Sequence, residues 1–508
     1  MRSWFIKIFV MLICVYSVRV NAQNTFSRFI DFEGGTNDRP YSLLLEQDGF
    51  VLSAGYSGDT SFVSSLARYD YDGNELLFKL YIDFVIGVSE SIIMADEGYR
   101  ITGNNWSHDK NDARGNRLLR INSDFEILKD TILFYQEFRT TNTFGVRKNG
   151  SEHLIYFEEL DLIGFGGAKG HILLMDSNID TVKQRIEIQG EIGNRYIDYD
   201  IQNLQPTPDG NLTFMANSTR SSEVKMFELT KINREGEILK RITVPRRTFN
   251  STLVQDELGD IYFYTRDTPF LIDSTMSFPN PGGGINKLNA DLDSVIWSRP
   301  FNRFEDPFDP RQKLHRQRGT LPLRDGSFLA YGEVEDIIIF KTLGFLTKFD
   351  SDGEILWTRF FQPTLPDGTV RESVFRDCKE LPDGRILCAG ESVNPDLGPV
   401  LGDEIWLLML DEEGCLEPGC GEEVIITSTS STLPTQEGRI YPNPVSDILQ
   451  IADVSFDRYE IVDIVGRQVQ VGGFSTEVVL SSRMSKGMYI LQLIEDGQLK
   501  SVFKFLKE

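Results

Sequence analysis

The chain has 508 residues, 40% hydrophobic, 11% aromatic and 25% charged, which excludes a disordered or collagen-like polymer and requires a buried core. That length exceeds what one compact core accommodates. With 52 Lys and Arg against 76 Asp and Glu the net charge is −24, so the whole chain offers no electrostatic footprint for wrapping nucleic acid.

Residues 1–22 carry Arg2 and Lys7, an apolar run from Ile8 to Tyr16, then Val20-Asn21-Ala22. This is the charge, apolar core and small-residue order of a secretory signal peptide, with cleavage expected between Ala22 and Gln23. The run is too short to span a bilayer, and no later stretch of roughly 18 uncharged apolar residues follows, so no transmembrane helix is expected in the mature chain. Ile13 stands where a lipobox has a small residue, so Cys14 belongs to the apolar run and is not a lipid-bearing thiol. Processing removes Arg2, Lys7 and Arg19 and no acid, which takes the net charge to −27. It also removes Cys14. The four remaining cysteines form two close pairs, Cys378/Cys388 and Cys415/Cys420, without CxxC or CxxH spacing and apart from the four histidines. In an exported chain this even count points to disulfides rather than to zinc.

From Leu43 onward one pattern returns: an apolar run, an Asp-Gly turn, and a second apolar run ending in Ala or Gly. The fullest copies turn at Asp48-Gly49, Asp325-Gly326 and Asp383-Gly384, and weaker ones at Gly98, Gly150, Gly210 and Gly259. Asp-Gly between such runs is a strong hairpin signal. Each of the seven units has a second half turning at Asp70-Tyr71-Asp72-Gly73, Asn122, Asp176, Asn233, Asn289, Asp350-Ser351-Asp352-Gly353 or Asp411. Two hairpins make a four-stranded antiparallel sheet, apolar on both faces, that must stack on its neighbours. Seven such units fit the blade count of a β-propeller.

Units five and six run on into Trp297-Ser298-Arg299-Pro300-Phe301 and Trp357-Thr358-Arg359-Phe360-Phe361, whereas the seventh meets Cys415 and Cys420. The missing strand is expected at the other end of the chain, in Phe26-Ser27-Arg28-Phe29-Ile30. Its pairing with the last blade would close the ring and remove open edges. A three-residue loop at Pro382-Asp383-Gly384 places Cys378 opposite Cys388, and a Cys415–Cys420 bond would stiffen the closure.

A polar stretch over 422–438 reads as a linker. Beyond it come Tyr441-Pro442-Asn443-Pro444, Ile448-Leu449-Gln450-Ile451, Tyr459 to Arg467 through Gly466, Gly487-Met488-Tyr489-Ile490-Leu491, and Phe503-Lys504-Phe505-Leu506-Lys507. In order and spacing residues 439–508 resemble the type A C-terminal sorting domain of proteins exported by the type IX secretion system of the Bacteroidota. The strand pattern itself reads as a small β-sandwich, expected to be immunoglobulin-like. The resemblance implies passage to the periplasm, translocation across the outer membrane by the type IX machinery, and release or surface attachment with removal of this domain.

Signals of chemistry are few. The Asp70 and Asp350 turns are shorter than an EF-hand loop and lack its distal Glu, and they read as hairpin tips. Trp297 and Trp357 read as packing aromatics. The glycine clusters at 166–170 and 282–284 lack the context of a phosphate loop. No Gly-x-Ser-x-Gly elbow occurs, and His153 and His171 have no marked nucleophile. Glu158, Glu159 and Asp161 would need to converge to serve acid–base chemistry. Arg303, Arg311, Lys313, His315, Arg316 and Arg318 form a cationic stretch in an anionic protein, read as a candidate ligand loop on one rim, with neighbouring Glu305, Asp306 and Asp309 as charge partners. The expectation is an all-β protein with a signal peptide (1–22), a seven-bladed β-propeller (23–421), a linker (422–438) and a sorting domain (439–508). It would bind an extracellular glycan or protein without cofactor, catalytic residue or metal. The alternative is a secreted glycoside hydrolase or polysaccharide lyase with carboxylates on one rim.

Overall fold

The computed structural model describes residues 25–30, 37–57, 62–82, 84–86, 92–95, 98–105, 115–135, 139–149, 152–161, 168–188, 190–192, 195–197, 200–220, 224–244, 253–265, 283–301, 313–336, 341–364, 371–393, 403–417, 420, 424–428, 439–442, 445–452, 454–463, 468–481, 484–495 and 498–507. The expected signal cleavage site lies outside them. Among the described residues every regular element is a strand, and no helix is long and apolar enough to cross a membrane. The chain divides into two compact units, 1–429 and 430–508.

The first unit contains, among its described residues, seven sheets of at least four strands and one two-stranded sheet. The first sheet runs Asn37–Leu45, Gly49–Ser57, Phe62–Asp70, Glu75–Ile82. In the second, Phe84–Ile86 and Ile92–Ala95 both pair with Gly98–Asn105, followed by Gly115–Ile121 and Ile127–Tyr135. The third to sixth sheets open with Arg139–Asn149, Asp200–Pro206, Leu253–Gln255 and Lys313–Pro322. The seventh runs Glu372–Glu380, Ile386–Val393, Asp403–Leu410, and its fourth strand is Phe26–Ile30, antiparallel to Asp403–Leu410 with Phe26 opposite Met409.

Opening strands touch in chain order from sheet to sheet, except that Arg139–Asn149 of the third sheet meets Gly98–Asn105 of the second, and Glu372–Glu380 touches Asn37–Leu45, so the series returns to its start. We call these the innermost strands. A separate apolar cluster fills each interface between successive sheets. That between the seventh and the first, with Leu43, Phe50, Leu387, Leu407 and Met409, resembles the rest. Both faces of each sheet are therefore used: Ile261–Thr265 is buried at every position.

The second hairpin tips share one construction. An Asp or Asn opens the turn, and the residue three further on is left-handed: Gly73, Gly236, Gly353 and Gly414, but also Phe125, Ile179 and Leu292 at φ 62°, 58° and 57°. A left-handed non-glycine costs about 1–2 kcal/mol. The three are fully buried, and burying such a side chain contributes about 1.5–3 kcal/mol, which offsets that cost. Where glycine stands, the preceding sheet leans on it: Trp297 reaches Gly353, Trp357 reaches Gly414, and Phe26 reaches Gly73.

One strand was not expected. Val424–Ser428 adds parallel to Ile355–Thr364 as a fifth strand of the sixth sheet, so the linker does not begin at 422. The β-branched Val424-Ile425-Ile426 carries that strand, and its last two residues, Thr427 and Ser428, already belong to the polar run.

In the second unit, Arg439–Tyr441, Ile448–Ala452 and Glu477–Val479 make one sheet, and Gln468–Gly473, Arg458–Asp463, Gly487–Glu495 and Gln498–Lys507 another. Leu449, Ile461, Leu491, Leu493 and Phe505 share one core drawn from both.

Candidate functional site

The Asp tips are backbone caps. Asp70 Oδ1 accepts from the N–H of Asp72 (3.0 Å) and Asn74 (2.8 Å), and Asp350 Oδ1 from Asp352 (3.0 Å) and Glu354 (2.8 Å). Among the described residues no three His, Cys, Asp or Glu side chains gather where a metal ion could sit. Behind the tips lies a feature the sequence reading missed. A cation two residues before the second turn reaches the acid of the first: Arg68 to Glu46 (3.0 Å), Lys231 to Asp209 (2.7 Å), Lys287 to Asp256 (3.0 Å) and Lys348 to Asp325 (2.8 Å). Burial alone would raise Asp325, but hydrogen bonds from Lys348 and Ser327 outweigh it and hold the carboxyl at about 2. The signal was present as Lys/Arg, apolar, Asp/Asn before five of the seven second turns, with Leu174 and Met409 in the cation's place in the other two.

The cationic stretch is not a loop where it is described. Lys313, His315, Arg316 and Arg318 lie on the innermost strand Lys313–Pro322, and Arg303 and Arg311 lie outside the described residues. His315 is buried against the rings of Phe301, Phe345 and Phe360, and its carbonyl accepts from Tyr264 Oη. Arg316 and Arg318 both reach Glu333 on the adjacent strand, so in the described part of the stretch the charge partner is a cross-strand acid. The period-two alternation of buried His315 and Gln317 with Arg316 and Arg318 is the strand signal that the charge obscured.

The same arrangement recurs one sheet further on. Arg376 holds Glu391 with two bonds, Nε to Oε1 at 2.9 Å and Nη2 to Oε2 at 2.8 Å, and Arg39 of the first sheet stands 3.7 Å from the same carboxylate. Tyr41 lies beside this group, its hydroxyl raised first by burial and then by Glu391, against the lowering of Arg39 and Arg376. Glu333 and Glu391 side chains are 5% and 4% exposed. Both lie against paired guanidiniums, an arrangement suited to positioning arginines.

Cys415 and Cys420 are bonded, with Cα atoms 5.7 Å apart, and the carbonyl of Leu416 inside the loop accepts from Thr25 Oγ1 just before the N-terminal strand. Cys378 and Cys388 stand opposite each other, as the turn geometry requires, but remain buried thiols. Burial, and then the neighbouring sulfur, pushes the Cys378 thiol well up. A thiol kept protonated and enclosed is a poor nucleophile, which opposes bond formation once the sheet has closed.

In the second unit Tyr489 is buried, with Oη donating to Ser485 O at 3.0 Å. Lys507 Nζ donates to Ser446 O at 2.5 Å, and Lys504 pairs with Ile490. Gly487 opens the central hairpin, and Pro442 is exposed. Asn443, Pro444 and Gly466 lie outside the described residues.

Residues 439–508 match the family described as the secretion system C-terminal sorting domain. This tail marks the chain for export. It engages the type IX secretion machinery, which delivers the protein to the cell surface or beyond it. No curated protein matches the chain. Among solved structures it is similar to the β-propeller domain of the Trilobed protease from Pyrococcus furiosus, at 12% identity and TM-score 0.38, covering 78% of this chain and 98% of that one. Similarity extends to the Pyrococcus horikoshii acylaminoacyl peptidase (11%, TM-score 0.39, 82% of this chain, 58% of that one). A GH43 β-1,3-galactosidase with galactodeoxynojirimycin is also similar (11%, TM-score 0.32, 56% and 95%). The chain therefore spans under two thirds of the peptidase's length.

Proposed function

We propose that the chain is a secreted, surface-directed binding or scaffold module of the Bacteroidota. In this reading residues 1–22 are cleaved at Ala22/Gln23, the segment from 23 to 428 is a seven-bladed β-propeller with Phe26–Ile30 closing the last blade, and an immunoglobulin-like sorting sandwich follows a linker. The cyclic contacts of the innermost strands support the blade count. Binding rather than hydrolysis rests on one observation: two buried acids on the strands beside the innermost ones, Glu333 and Glu391, are each approached by two arginines. A hydrolase needs one acid left with a raised pKa to donate a proton. The ligand would meet the propeller through Arg316 and Arg318, with Arg303, Arg311 and Lys313 on the same stretch.

A glycan array probed with the mature chain tests this reading. Retention of a glycan that is recovered intact is the expected outcome, and shortened products would overturn it in favour of a propeller hydrolase or lyase.

A further inference from the structure

We propose that Tyr441, Ile448 and Val479 form the surface by which the second unit docks on the type IX secretion machinery, against an apolar face of one of its components, an inference that stands apart from what the first unit binds. It starts from three apolar doublets in the sequence, Ile440-Tyr441, Ile448-Leu449 and Val478-Val479. Neighbours along a strand point to opposite faces, so no doublet can bury both members against one core. Leu449 and Val478 enter the core, and Ile440 packs against it. The other member of each doublet is turned outward: Tyr441 is 46% exposed, Ile448 45% and Val479 67%.

Strand register brings these three together. Ile448 stands directly opposite Val479, and Tyr441 stands opposite Gln450, two positions along the same strand from Ile448. Opposed and diagonal residues on one face are within side-chain reach, so the three make one apolar corner on the outer face of the three-stranded sheet. Gln450 and Glu477, 3.4 Å apart, border it. The outer face of the four-stranded sheet is different. There Glu460 lies between Val471 and Gln492 and pairs with Arg458 at 3.3 Å, the polar covering of a sheet that faces water. Phe474, exposed at a turn, leans on Phe456 with ring centroids 5.1 Å apart. An outward apolar corner to which every strand of a sheet contributes marks a contact surface. Its occupant follows from what this unit does. The family match covers 439–508, so the machinery reads these residues. A folded unit is read on its outside, because its inward side chains are spent on its own core. A corner without an ion pair calls for an apolar partner.

The test uses the full chain in a cell with a working type IX system. Ile448→Ser with Val479→Ser is expected to lower the fraction at the cell surface and in the medium about tenfold, with the retained protein melting at the temperature of the parent. Ile448→Val with Val479→Ile, which keeps the corner apolar, should be exported as the parent is, and Val471→Ser on the other sheet should change nothing. A second measurement does not depend on how the serine variant folds: with Val479→p-benzoylphenylalanine, illumination during export should give an adduct with a component of the machinery, identified by mass spectrometry, and the same group at position 471 should give none. Normal export of the double serine variant, an equal loss with Val471→Ser, or no adduct from position 479 overturns the proposal. An adduct only with a second copy of the chain overturns it as well and makes the corner a self-association surface.

Discussion

Asp377 shows how a single carboxylate can join three sheets. It is buried on the innermost strand of the seventh sheet, where Oδ2 accepts the backbone N–H of Leu43 in the first sheet at 2.8 Å. Oδ1 meets Lys379 at 2.9 Å and, at 3.4 Å, the Tyr331 hydroxyl of the sixth sheet. Removing the acceptor leaves a buried N–H unpaired, which costs about 1–3 kcal/mol. Asp377→Ala should therefore lower the free energy of unfolding by about 2–3 kcal/mol in a urea titration, while Asp377→Asn, which keeps an acceptor oxygen, should recover most of the loss. An alanine variant as stable as the parent would show that the bond does not hold the seam. The cysteines give a second test at this scale. In the native, unreduced exported protein no thiol should react with a thiol reagent, and on denaturation two should. Finding none after denaturation would mean that Cys378 and Cys388 oxidise before their sheet closes. Legibility at this scale follows the range of the interaction. Asp48-Gly49 or Asp383-Gly384 announces a turn because the turn needs only those residues. Asp377 and Glu391 gave no signal of the seams they join, because the partners across those seams, Leu43 and Tyr331 for Asp377 and Arg39 for Glu391, are far away in sequence.

At the scale of the strand, the N-terminal segment was legible because it repeats a local pattern: Phe26-Ser27-Arg28 has the form of Trp297-Ser298-Arg299 and Trp357-Thr358-Arg359. The structure gives the reason for the likeness. Each aromatic packs on the turn glycine of the next sheet, and Arg28 also donates to the Gly73 carbonyl at 2.7 Å. Trp406 Nε1 donates to Ser27 Oγ at 2.9 Å from the other side. The same reading failed where another property masked the period of two, as charge did over Lys313–Pro322 and the polar run did beyond Val424. Deleting residues 23–30 should expose the edge of Asp403–Leu410 and the apolar cluster around Met409. The expected outcome is a broadened urea transition with aggregation at micromolar concentration. Phe26→Ala, which keeps the strand and removes one half-buried ring, should cost about 2 kcal/mol and leave the transition sharp. A deletion variant that unfolds as sharply as the full chain would argue that the seam closes without this strand.

On the scale of the whole molecule, the seven large sheets and the sorting tail sit in separate compact units, each with its own apolar core. A unit that carries its own core can fold and be recognised without the other. Removing it should then change where the first unit goes and leave how it folds unchanged. Truncation of residues 439–508 should leave a propeller with the melting temperature of the mature first unit, recovered from the periplasm rather than from the cell surface or the medium. Fusing the same 70 residues, the span that matches the sorting family, to an unrelated periplasmic protein should send that protein outward. Both halves are needed, because retention of the truncated chain could also follow from misfolding, and the melting measurement and the fusion exclude that. Surface delivery of the truncated chain would show that export information also resides in the sheets of the first unit.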